Sequence, residues 1–191
     1  MEIQSDRVGH GTIIADILSH HASELTLYNA QVFDERGVTT ANNVAAAIDW
    51  LVMEKVDLVN LSLGLHQDRT LLREACARAV AAGVVLIAAS PAQGAAVYPS
   101  FYSGVIRATG DARCGEGDIS FLDSAQADFG GCAHMIGHAS RGRPRIGGAS
   151  LGTAHISGHV ASYLSQGGAK ETLREWLVSQ AKYIHSERRT E

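Results

Sequence analysis

The sequence has little with which to staple, export or anchor itself. Its three cysteines, Cys76, Cys114 and Cys132, are odd in number and show no CxxC spacing, which argues against a disulfide framework and for a reducing, cytoplasmic setting. No run of eighteen apolar residues occurs, so no membrane span is expected, and Met1 to Gly11 holds neither an apolar signal core nor a cleavage site. Excess positive charge is missing too. A formal net charge of -4 argues against a phosphate backbone or an anionic membrane as the main partner. Internal repeats and low-complexity tracts are absent, and the one strongly charged stretch is the terminal Ser186 to Glu191.

What remains is an ordinary globular composition, 46% hydrophobic over 191 residues, enough for one domain with a proper core. We expect a single domain over 1-185 and a frayed tail over 186-191. Ile13, Ile14, Ile17 and Leu18 fall at helical spacing, and Leu25 to Phe33 reads as an apolar strand. Thr40 or Asn42 can cap a helix running to about Glu54, with Val44, Ile48, Leu51 and Val52 facing inward. Val56 to Leu63 is a compact apolar run. Thr70 to Ala82 is again helical, with Gly83 as its stop, and Val84 to Ala89 reads as a strand buried on both sides. Val105 to Thr109 adds a short strand. From Gly110 to Gly148 the chain is glycine-rich and polar, with hairpin strands expected near 119–121 and 127–129. Ala149 to about Leu164 reads as a small-residue helix, and Lys170 to about His185 as an amphipathic closing helix. Strands alternating with helices predict an α/β fold, a three-layer α/β/α arrangement with a mostly parallel sheet.

In such sheets ligands gather outside the carboxyl ends of the strands. Four segments therefore stand out: Gly9-His10-Gly11-Thr12, Ser62-Leu63-Gly64, Ala88 to Gly94, and Gly148 to Gly158. In the last, Ser150 stands in the first turn of a helix, where free N–H groups and the helix dipole favour a developing oxyanion. Gly9 to Ala15 resembles the HGTxxA histidine motif of the subtilisin-like serine proteases. Val56 to Gly64 resembles the strand of that family that ends in Ser-Leu-Gly. Gly148 to Gly158 is similar to its serine motif, GTSMAxPHVAG, matching at Gly148, Ser150, His155 and Gly158. Gln31-Val32-Phe33-Asp34 with Gly37, and Tyr98-Pro99 with Val105-Ile106, extend the match in order along most of the chain. The resemblance implies that Ser150 is the nucleophile and His10 the general base. It also implies that Ser62, Leu63 and Gly64 align a peptide or protein substrate as an added strand. No cofactor or resident metal is implied.

The resemblance breaks at two places. The family carries a buried aspartate on a strand some tens of residues before its histidine, and only nine residues precede His10 here. That carboxylate orients the imidazole, and its loss on another serine protease fold costs about 10⁴ in turnover. Asp6 reads as a solvated residue. Asp34 could substitute if the strand ending at Phe33 pairs directly with Val56 to Leu61; a second polypeptide could insert a strand and its carboxylate; a sequence shortened at its N-terminus would read the same way. The second break is Ala92, where the family has an oxyanion-binding asparagine. Losing that donor costs about 10²–10³ in rate, a magnitude taken from subtilisin itself. Gln93 carries an equivalent amide one residue on. The sequence thus supports a serine endopeptidase or a pseudoprotease that keeps only the peptide groove. Among the remaining histidines, His155 reads as structural and His20-His21 as a solvated helix end. Cys132, His134 and His138 lack a fourth ligand at zinc-like spacing.

Overall fold

A computed structural model describes residues 6, 8–137 and 148–186. In chain order they form α1 (His10–His21), α2 (Ala41–Met53), β1 (Leu58–Leu61), α3 (Thr70–Ala81), β2 (Val85–Ala89), β3 (Val105–Asp111), β4 (Ile119–Phe121), β5 (Phe129–Cys132), α4 (Gly148–Ser165), a 3₁₀ turn (Lys170–Thr172), α5 (Leu173–Ser179) and β6 (Ala181–Ile184). One six-stranded sheet has the order β1-β2-β3-β5-β4-β6. Strands β1, β2, β3 and β5 run parallel, β4 runs antiparallel to β5, and β6 parallel to β4.

Alternation along the strands builds three layers. Leu86 and Ala88 of β2 join Val44, Ile48, Leu72 and Ala79 of α2 and α3, whereas Ile87 joins Ile156, Val160 and Leu177 of α4 and α5. Thus β2 is covered on both faces, as its unbroken apolar run predicts. Local signals set the helix ends. The Thr40 hydroxyl accepts from Asn43 N–H at 3.2 Å and starts α2. Gly83, at φ 78°, stops α3, with its N–H bonded to Val80 O and that of Val84 to Ala79 O.

Two sequence expectations need correction. Leu25 to Phe33 belongs to no strand: Ala30 and Val32 pack on the α2–β1 core, yet β1 is the sheet's edge and does not pair with it. Apolar patterning selects an extended backbone, but a strand also needs a neighbour to take its hydrogen bonds. The closing helix, expected to about His185, ends at Ser179, and residues 181–184 become β6, paired with β4. Ala181 and Ile184 fit a helical spacing, but the exposure of 181–184 alternates, half-buried then exposed. The open side of β4 offers that segment a ladder. Most of the expected tail, 187–191, lies outside the described residues. Among the described residues no helix is long and apolar enough to cross a membrane.

Candidate active site

Helix α1 packs along α4. Ile14 and Ile17 meet Leu151 and Ala154 in one apolar cluster, and further along His21 lies against Gly158 and His155. The order of these contacts is the same on both helices, so they run in the same direction with their N-terminal ends together. His10 is the first residue of α1 and Ser150 lies in the first turn of α4. Two residues 140 positions apart in sequence therefore share one end of the helix pair.

Ser150 is tied to the end of β1. Its hydroxyl donates to Ser62 O at 3.4 Å, and the Ser62 hydroxyl donates to Ser150 O at 3.1 Å. Asn60 supports the link, its Nδ2 donating to the Ser62 hydroxyl at 2.9 Å while Oδ1 accepts from the Ser157 hydroxyl at 2.9 Å. Asn60 escaped sequence reasoning because a polar residue on a short apolar strand gives no sign of what it faces, and its partner Ser157 lies within the serine motif without being one of its matched positions. Beyond Gly64, Leu65 exchanges backbone hydrogen bonds with Tyr98, at 2.7 and 2.8 Å. Next to this segment opens a cavity of about 530 Å³ lined by Thr39, Thr40, Leu65, His66 and Arg69 among others.

The imidazole of His10 is half-buried, and burial lowers its proton affinity while the negative charge of Asp6 partly restores it. Among the described residues no hydrogen bond joins His10 to Ser150. Asp6, expected to be merely solvated, is exposed but engaged: Oδ1 accepts from Gly9 N–H at 2.8 Å, and Oδ2 from Thr12 N–H at 2.8 Å and the Thr12 hydroxyl at 2.9 Å. These bonds hold its pKa below the usual carboxylate value.

The proposed substitutes for the two missing groups fare differently. Asp34 lies in a tight turn where Oδ1 accepts from the N–H groups of Arg36 and Val38, both at 2.9 Å, and it makes no bond to His10. The pairing of the preceding strand with β1 that would have moved it does not form, which corrects that expectation. Gln93 lines, with Ala92, a second cavity of about 190 Å³ beside Asp111 and Arg113. Burial raises the Asp111 pKa, but the hydrogen bonds of Arg113 outweigh it and hold the carboxylate ionised.

His155 is fully buried, its Nε2 at 3.0 Å from His134 O and its Nδ1 at 2.9 Å from His21 Nε2. His21 is therefore no solvated helix end, although its neighbour His20 reaches Glu116 at 3.7 Å near the surface. Of the cysteine–histidine group, His138 lies outside the described residues, and among those described no three histidine, cysteine or acidic side chains could hold a metal ion. All three cysteines are buried and unpaired.

Over residues 2–190 the chain matches the family model described as the subtilase family. It is 34% identical over 113 residues to the minor extracellular protease Epr of Bacillus subtilis (strain 168), covering 53% of this chain and 18% of that protein. It is 28% identical over 181 residues to subtilisin DY of Bacillus licheniformis, covering 85% of this chain and 65% of that protein. The chain thus spans less than two thirds of either relative. Among solved structures, a lanthipeptide protease superposes with a TM-score of 0.66 at 16% identity, over 92% of this chain and 68% of that one. The S41 psychrophilic protease gives 0.64 at 19%, over 94% and 73%. At these identities the likeness is one of fold.

Proposed function

The chain belongs to the subtilase family, and from that premise we propose that it is a serine endopeptidase of subtilisin type, with Ser150 as nucleophile and His10 as general base. The observation that carries the reading is the shared end of α1 and α4, which brings the first turn of each helix to one place. In the reaction, His10 takes the proton of the Ser150 hydroxyl as its oxygen attacks the peptide carbonyl carbon. The C–N bond then breaks, the leaving amine takes the proton from the imidazolium, and an acyl-enzyme remains for water to hydrolyse. N–H groups in the first turn of α4 face the developing oxyanion, where the helix dipole adds to their effect. The 3.4 Å bond from Ser150 to Ser62 O is longer than an ordinary hydroxyl bond, so a side-chain rotation toward His10 costs little.

Ser62, Leu63 and Gly64 would align a peptide or protein substrate as an added strand, with side chains reaching the 530 Å³ cavity. A second polypeptide adding a strand at the open edge of β1 would supply the missing carboxylate. Three buried free thiols suit a reducing compartment, the cytoplasm. A second reading, a pseudoprotease that binds peptide without cleaving it, is favoured by Ala92 in the oxyanion position and by an Asp34 committed to its own turn.

Reaction with a fluorophosphonate separates the two. We expect one label per chain, with none on Ser150→Ala. A chain that stays unlabelled alone and with every candidate strand-donating partner, while still binding peptide, is the pseudoprotease.

A further inference from the structure

The carboxylate nearest to His10 in function is four residues upstream. Asp6 grips the turn on both sides of the histidine, accepting from Gly9 N–H before it and from the Thr12 N–H and hydroxyl after it. Gly9, at φ 78°, is the cap residue of α1 and has no side chain with which to cap. Asp6 performs that task from outside the helix, satisfying N–H groups that would otherwise lack partners. The same carboxylate acts on the ring electrostatically. Burial disfavours the imidazolium of His10, and the negative charge of Asp6 opposes that effect.

We infer that Asp6 is the positioning residue of His10, fixing the turn that carries the imidazole and supplying the negative charge that steadies its protonated form. This rests on the reading of His10 as general base. Asp6 touches neither Ser150 nor the imidazole through a hydrogen bond, so it acts on the backbone and through space. Its action is separate from that of a ring-bonding carboxylate brought by a second polypeptide, and because it is exposed its field is open to screening by salt.

The test is the NMR titration of each histidine in the full chain, wild type and Asp6→Asn. The asparagine keeps an acceptor for the turn and removes the charge. The His10 midpoint should fall in the variant and that of the exposed His66 should stay; the difference should shrink as salt rises from 0.02 to about 1 M, where the screening length is about 3 Å. The low-pH limb of the fluorophosphonate labelling rate should move down with the His10 midpoint. A folded Asp6→Asn protein with an unmoved His10 midpoint overturns the inference. If that variant does not fold, wild-type His10 must still show a midpoint that falls with added salt, and a salt-independent midpoint overturns it equally. A shifted midpoint in a chain that takes no label would leave Asp6 in its role and remove the peptidase reading instead.

Discussion

Gly152→Ala should destabilise the protein by about 3 kcal/mol or more, a large share of the 5–15 kcal/mol that holds a domain together. A Cβ on Gly152 would fall 2.1 Å from Thr109 O and 2.6 Å from Gly110 Cα, both rigid backbone of β3. The contact is reciprocal, since a Cβ on Gly110 would lie 2.4 Å from Gly148 O. Helix and strand here touch backbone to backbone, and the single hydroxyl hydrogen of Thr153 has two carbonyls in reach, Ala108 O of β3 at 3.2 Å and Ala149 O in its own helix at 2.7 Å. Relief requires α4 to lift away from the sheet, carrying Ser150 off the end of β1. A urea melt reads the loss directly. Gly117→Ala is the control, because nothing lies within 4 Å of its Cβ position, and its midpoint should stay within about 0.5 kcal/mol of wild type. A Gly152→Ala protein melting like that control would mean that α4 does not sit where its glycines place it.

The same close approach explains which parts of the molecule the sequence revealed. Glycine and alanine between Gly148 and Gly158 read both as a helix and as the serine motif, since a helix this near a sheet needs glycine where backbone meets backbone. Strand β2 and the Gly83 stop were legible because each is decided locally, by an unbroken apolar run and by a backbone conformation that glycine adopts freely. Segment 25–33 and β6 were misread for the opposite reason. Whether an extended stretch becomes a strand is decided by a neighbour, and neighbours are set by topology rather than by the stretch itself. At the site, the motifs singled out His10 and Ser150, whereas Asp6 looked solvated because two of its three bonds come from backbone N–H groups that no side-chain pattern records. His21 looked exposed at a helix end, although Gly158, eight positions past Ser150 in α4, leaves the hollow that receives its ring: a Cβ there would lie 2.6 Å from His21 Cδ2.

That hollow sets up the second large effect, acid loosening of α1 from α4. His155 Nε2 faces a carbonyl, which can only accept, so this nitrogen carries the hydrogen and Nδ1 is bare; His21 Nε2 must then donate across the 2.9 Å between them. Protonating Nδ1 would set two N–H groups against each other. His159 lies tilted against His21, with ring centroids 4.2 Å apart, and its Nε2 is buried with no partner, so a charge there also goes unanswered. Burial first, and then the neighbouring histidines, push His21 down to about 3; burial and His155 push His159 down to about 4, against the opposing pull of Asp118. His20 and Glu116 complete the charged surroundings. Unfolded histidines titrate near 6.5, so below that pH the unfolded chain binds more protons than the folded one, and stability falls steadily down to about pH 4. Because the rings share one cluster their shifts do not add, and the expected loss is on the order of 3 kcal/mol. The urea midpoint should therefore drop between pH 7 and 4, and His159→Leu should flatten that drop by removing the unpartnered nitrogen. A wild-type midpoint that is level from pH 7 to 5 would show that the rings are not held neutral.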